Sequence, residues 1–277
     1  MEKFIQFSIR ELRQLIVDVG YKDNPTQPKR TDTLDVTMLF AYLHQMGPCD
    51  KLSYHDLRNR AMLLFNLDML STRKCICNLY SETVTFKFSS IARRDWKHVQ
   101  SVTFRLFRGK NWRPGLSDWS APFTIRAAPY RGKYHCSTPH NMAALREREN
   151  ELKRFDFPGF FPPTTLKRKS DRPTLTPNAI ARVITRLMHA AGIPEDFTPG
   201  DLRAATGTAC YIRGVRLRAI LDRGGWAGEQ TFFIWYRKLS EKQPAEVSDI
   251  SVERALRLAQ GILTLSTEYF PAWPGRL

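Results

Sequence analysis

Three Thr-Pro pairs punctuate the chain, at Thr138-Pro139, Thr176-Pro177 and Thr198-Pro199. Each precedes a helical run of residues. A threonine hydroxyl can accept from the N–H groups left over at a helix start. Proline fits the first helical turn because it has no N–H to lose there. Glycines close two of the runs, at Gly192 and Gly214, where left-handed backbone ends a helix. The C-terminal half is therefore expected to be a series of short helices. The first opens at Thr138-Pro139 and extends to about Arg154. The second buries Ile180, Val183, Ile184, Leu187 and Met188, with His189 beside them read as packing. The third carries Arg203. A short fourth, Leu217 to Leu221, is closed by Gly224-Gly225, and a fifth spans Thr231 to Leu239 and carries Tyr236.

The N-terminal half mixes helices with strands. Phe4, Phe7, Leu12, Leu15, Ile16 and Val19 predict a helix over residues 3–19, followed by a proline-containing linker from Tyr21 to Thr31. Leu34, Met38, Leu39 and Tyr42 mark a second helix that stops at Gly47-Pro48. Asp56 to Leu70 is a third, capped by Ser53, with Leu57, Ala61, Leu64, Phe65 and Met69 as its apolar stripe. Arg73 then begins a short helix ending near Tyr80. Alternating, β-branched segments at Thr83–Phe88, His98–Phe107 and Phe123–Ala127 predict a small antiparallel sheet. Arg108-Gly109-Lys110-Asn111 makes a turn that puts Lys110 at its tip. The expected class is α+β, mostly α: a helical domain with a small antiparallel three-stranded sheet. The sequence PGFFPPTT reads as a loop, and Lys167, Arg168, Lys169 and Arg172 as an exposed basic connector. A last helix, Val252 to Leu263, follows a polar stretch and docks either on another subunit or on its own domain.

Charge narrows the partners. Lys plus Arg number 43 against 27 Asp plus Glu, a formal net charge of +16. The basic residues are spread along the chain rather than gathered on one amphipathic helix, which favours nucleic acid over a membrane surface. No apolar run reaches the roughly 18 residues of a membrane span. The N-terminal segment carries charges where a signal peptide has an apolar core. The five cysteines have neither disulfide rhythm nor zinc-ligand spacing, so they read as reduced thiols in an intracellular protein, nuclear if eukaryotic and otherwise cytoplasmic.

The chemistry concentrates between Thr198 and Lys238, TPGDLRAATGTACYIRGVRLRAILDRGGWAGEQTFFIWYRK. Arg203, Trp226 and Tyr236 each stand beside a helix start or stop signal. Arginine holds phosphate in two-pronged fashion, and a tyrosine hydroxyl can attack phosphorus and stay bonded to it. Strand transfer needs cations on the non-bridging oxygens, an in-line nucleophile, an acid for the leaving 5′ oxygen, and packing that excludes water. Arg73, Lys110, Arg203, Trp226 and Tyr236 supply residue types for these roles.

These residues resemble the catalytic motifs of the tyrosine recombinases of the phage-integrase superfamily. In that family a first arginine follows a helix and precedes the sheet, as Arg73 does in LRNRAMLLFNLDMLSTRKCICNL. A lysine sits in a β-hairpin turn, matching Lys110, with Lys133 in the next basic loop as its rival. The second box, His-x-x-Arg followed by Ala-Thr and Gly-Val, corresponds to Gly200 to Arg203, Ala205-Thr206 and Gly214-Val215. Gly225-Trp226 matches the tryptophan form of the third box, and Tyr236 falls where the nucleophile belongs. The resemblance covers about residues 33–240, and the Gly-Trp box with Thr231-Phe232 is similar to recombinases of eukaryotic mobile elements.

The resemblance implies cleavage and rejoining of double-stranded DNA through a 3′-phosphotyrosine, in site-specific recombination or integration. Arg73 and Arg203 would clamp the phosphate, Lys110 would protonate the leaving oxygen, Trp226 would wall the site and Tyr236 would attack. It implies no cofactor and no metal, since the covalent bond stores the cleavage energy, and a homo-tetramer assembled on DNA. Residues 31–245 would be the catalytic domain. Residues 1–30 would be an N-terminal helix and linker, a possible remnant of a core-binding domain, and 246–277 a C-terminal helix and tail. Two departures stand out. Gly200 occupies the usual histidine position, and only about 30 residues precede the catalytic part, so the chain is expected to be a fragment or to form an incomplete DNA clamp. The alternatives are a catalytically degenerate DNA-binding relative and a type IB topoisomerase.

Overall fold

The computed structural model describes residues 34–89, 94–107, 117–128, 133–152, 157–162, 175–212, 214–226 and 228–235. The helices expected at 3–19 and Val252–Leu263, the basic connector, and the segments 1–30 and 246–277 lie outside them.

The described helices are α1 (Val36–Gln45), α2 (Tyr54–Asp68), α3 (Arg73–Cys77), α4 (Thr138–Glu151), α5 (Pro177–Ala190), α6 (Pro199–Ile212), α7 (Leu217–Gly224) and α8 (Glu229–Trp235). Three strands, β1 (Thr85–Phe88), β2 (Val99–Phe104) and β3 (Phe123–Arg126), lie between α3 and α4 in an antiparallel sheet of order β1-β2-β3. The expected class is the observed one: mostly helical, with a small three-stranded antiparallel sheet.

Capping explains where several helices begin. The Ser53 hydroxyl accepts from the Asp56 N–H at 3.1 Å, and the Thr176 hydroxyl accepts from the Ala179 N–H at 3.2 Å. At α6 the Asp201 carboxylate accepts from both the Thr198 N–H (3.0 Å) and hydroxyl (2.8 Å), and the Asp201 N–H donates to the Thr198 carbonyl, which pins the first turn. Elsewhere the observed bounds move. The strand expected from Thr83 starts at Thr85, because Ser81–Thr83 coils into a 3-10 turn. The short helix from Arg73 ends at Cys77 rather than near Tyr80, and α7 runs three residues beyond Leu221 to Gly224.

The sheet divides its faces by register. Phe86, Val102 and Ile125 lie side by side, as do Phe104 and Phe123, and this face turns to the core. The opposite face is polar: Thr103 and Thr124 share a 2.9 Å hydroxyl contact, and Lys87 and Arg126 flank Ser101.

Helix α2 is the axis of the molecule. Its expected stripe is buried, and so are Arg58, Asn59, Arg60 and Asn66 on its other sides. Arg60 is fully buried. It donates to Asn141 Oδ1 (2.7 Å), to the Gly47 carbonyl (2.5 Å) and to Cys49 Sγ (3.2 Å). Arg58 donates to the Pro162 carbonyl at 2.8 Å. That contact ties down the PGFFPPTT segment, whose Phe160 and Phe161 enter the core. His189, expected to pack, is exposed while Met188 is buried, because the α5 stripe is narrower than read.

All five cysteines are buried, and none of them forms a disulfide. Among the described residues no helix is long and apolar enough to cross a membrane, and no group of three potential metal ligands occurs.

Candidate functional site

Helix α6 places Arg203 just past its first turn, inside the protein, with only 6% of its surface exposed. The neighbours that allow this are small: Ala204, Ala205, Thr206 and Gly207. The guanidinium lies over the Trp226 ring, 4.5 Å from its centroid, and Nη2 donates to the Gly224 carbonyl. Sequence-distant motifs thus meet here, the arginine of the second box and the Gly-Trp of the third.

Two glycines shape the seat of Trp226. Gly225 is left-handed (φ 61°) and ends α7, and the Trp226 N–H turns back to the Leu221 carbonyl at 2.9 Å. Gly224 lies beneath the indole, where a Cβ would stand 2.3 Å from two ring carbons. Phe232 of α8 completes the enclosure, with its ring centroid 5.2 Å from that of Trp226. Only a residue without a side chain allows this close approach at Gly224.

Arg73 begins α3 and is exposed. Its link to the pair above runs through the preceding turn. Leu70, in a left-handed conformation (φ 46°), is buried in one small cluster with Trp226, Phe232, Cys210, Ile220 and Leu221. Lys110 and Tyr236 lie outside the described residues. Lys110 belongs to the connection between Phe107 and Ser117, and Tyr236 follows the last residue of α8. Lys133 is exposed. Gly200 opens into free space but for the Thr198 hydroxyl, which would be 3.4 Å from a Cβ.

Sequence reasoning missed a second group under this site. Arg223, in the last turn of α7, is buried at 6% exposure. It donates to Met69 Sδ at 3.3 Å and to the Thr124 carbonyl at 3.5 Å. Burial pulls its pKa down while the negative charge of Asp68 pulls it back up. Asp68 ends α2 and accepts from the Thr138 hydroxyl at 2.5 Å. Burial pushes its carboxyl up to about 6, against the opposing effects of Thr138 and Arg223. The available signal was periodicity: Ile220, Arg223 and Gly224 fall on one helical face, which becomes visible once α7 is carried past Leu221.

No family model and no curated protein matches the chain. Solved structures do. The XerH site-specific recombinase, in a pre-cleavage complex with its difH substrate, superposes with a TM-score of 0.50 at 14% identity, over 79% of this chain and 53% of XerH. The chain thus spans about half the length of that recombinase. XerA recombinase aligns at 0.48 and 18% identity over 85% of this chain and 73% of XerA, and a lambda integrase fragment bound as a dimer to its core site aligns at 0.43 and 11%, over 84% of this chain and 71% of the fragment. With the element order, the three-stranded sheet and the XerH superposition taken together, the chain has the fold of a tyrosine recombinase catalytic domain.

Proposed function

We propose that the chain cleaves and rejoins double-stranded DNA by the tyrosine recombinase reaction, with Arg73, Lys110, Arg203, Trp226 and Tyr236 as its catalytic set. The observation that carries this reading is the buried Arg203 guanidinium seated on Trp226. A desolvated cation near a helix start, in a chain of net charge +16, is suited to a phosphodiester. The Tyr236 oxygen forms a bond to phosphorus and the bond to the 5′ oxygen breaks. Lys110 delivers a proton to that oxygen, leaving a 3′-phosphotyrosine and a free 5′ hydroxyl. Rejoining is the reverse attack by a 5′ hydroxyl, which releases the tyrosine. Exchange between two duplexes uses four copies of the chain on DNA, and residues 31–245 form the catalytic unit.

The test is a duplex with a nick beside the cleavage site, so that the short 5′ fragment diffuses away and the adduct persists. A covalent protein–DNA band that disappears in Tyr236→Phe is the expected result. No Tyr236-dependent adduct on any duplex from a broad panel of nicked substrates refutes the proposal.

Gly200 favours a second reading, a DNA-binding relative that no longer cuts, because this position has no side chain to bond a phosphate oxygen. The surroundings of Gly200 accept a side chain without backbone contact. Under this reading wild type gives no adduct and Gly200→His restores one.

A further inference from the structure

Arg223 is adjacent to Gly224, whose carbonyl holds Arg203, and three residues from Trp226. Its guanidinium reaches away from that pair. One branch meets Met69 Sδ, four residues before Arg73, and the other meets the Thr124 carbonyl on β3, the strand that follows the connection containing Lys110. Asp68 supplies the opposing charge, and the Thr138 hydroxyl at the start of α4 holds its carboxylate. Two consecutive residues, Arg223 and Gly224, therefore join the second and third boxes to the turn that launches Arg73 and to the sheet.

An apolar side chain in place of Arg223 would fill this space at a lower desolvation cost, since buried charges seldom add stability over apolar replacements of similar volume. What a forked guanidinium adds is fixed direction: its donors lock angles that methyl groups leave loose. The geometry points to Asp68 and Arg223 as positioning residues that hold the turn before Arg73 in register with the Arg203–Trp226 pair. This inference rests on the proposed reaction for its consequence, though not for its geometry.

The test compares wild type with Arg223→Lys and with the double variant Asp68→Asn plus Arg223→Met. Asparagine keeps the acceptor for Thr138, and methionine keeps the apolar stem against Met69. Both variants are expected to fold, with the double variant melting within a few degrees of wild type. Two readouts follow. In single-turnover assays on the nicked duplex, adduct formation slows roughly 10- to 100-fold in the double variant, the scale of a small misplacement of reacting groups. Its DNA affinity stays within about twofold of wild type, because no proposed DNA contact is removed. Arg223→Lys, which keeps the charge but not the fork, falls between. Independently of activity, the Arg203 Nε–Hε resonance, shifted by the Trp226 ring above it, moves in the folded double variant. A double variant that melts like wild type with that resonance unmoved overturns the inference, whether or not DNA is cut. So does one that forms adduct at the wild-type rate. Absence of adduct from wild type itself counts against the proposed function, and the resonance then decides the positioning claim.

Discussion

Gly224→Ala offers a direct test of how the Trp226 seat is built. On helix propensity alone the change in the last turn of α7 would stabilise by up to about 1 kcal/mol. The structure predicts the opposite sign. The new methyl carbon would lie 2.3 Å from Trp226 Cε3 and Cζ3 and 2.8 Å from Cη2. Unstrained carbon contacts need about 3.5 Å or more. The ring has no free direction. Phe232 lies on one side, Arg203 is stacked on it, and Gly207 is so close that a Cβ there would be 3.2 Å from Cη2. Overpacking of this kind costs about 1–3 kcal/mol, and displacing the guanidinium from the ring removes about 0.5–2 kcal/mol more. Subtracting the propensity gain leaves a net loss of about 0.5–4 kcal/mol. For a chain of this size that lowers Tm by roughly 1–16 °C. The assay is thermal and urea unfolding of a graded series. Gly228→Ser adds a side chain where nothing lies within 4 Å and should be nearly neutral. Gly207→Ala, with its contacts at 3.2 Å, should fall between. Gly224→Ala should be the least stable and should also lose adduct formation. A Gly224→Ala protein that melts at or above wild type would refute the packing argument.

Two further perturbations probe the buried polar groups. Arg60→Met leaves the part-buried Gly47 carbonyl without this donor and Asn141 Oδ1 with only the weak Cys49 thiol, and at about 1–3 kcal/mol for a buried orphan the loss should be at least about 1 kcal/mol by urea midpoint; a change under about 0.5 kcal/mol refutes the role assigned to these bonds. His140 is buried between the Tyr134 and Trp96 rings, and burial pushes its pKa from 6.5 down to about 4. The folded state therefore favours the neutral ring. Its contribution is complete above pH 6.5 and is lost as pH falls from there towards 4. Relative to His140→Gln, wild type should lose roughly 2 kcal/mol between about pH 7 and pH 5. Parallel pH–stability curves for the two proteins would count against it.

Much of the architecture was legible because it rests on local rules. Ser53 and Thr176 cap the helices that their spacing announces, and the Phe86–Val102–Ile125 row follows from alternation. The 3-10 turns at Cys49–Lys51, Ser81–Thr83 and Trp96–His98 were not legible, because three residues carry no period. Of the candidate site, the Arg203–Trp226 approach was foreshadowed by the small residues around each. Arg223, Arg60 and Asp68 were not, because a charged residue is ordinarily read as surface and only the tertiary fold supplies a carbonyl, a sulfur or a hydroxyl to meet it. Nor was the burial of α2 on every side visible, since Arg58, Asn59 and Arg60 disguise a central helix as an amphipathic one.

The small cluster around Trp226 has a mechanical consequence. Leu70, Cys210, Ile220, Leu221, Trp226 and Phe232 form an apolar nucleus distinct from the large one that gathers α1, α2, the sheet and most of α4 and α5. A satellite nucleus has few contacts to break, so its free energy of opening lies below that of the whole domain. The helices α7 and α8 are therefore expected to open together before α2 does, and the Arg223 bonds to Met69 and Thr124 set the cost of that opening. Amide exchange in these two helices should outpace exchange in α2. The segment that leads into Tyr236 is thereby mounted on the smaller of the two apolar nuclei.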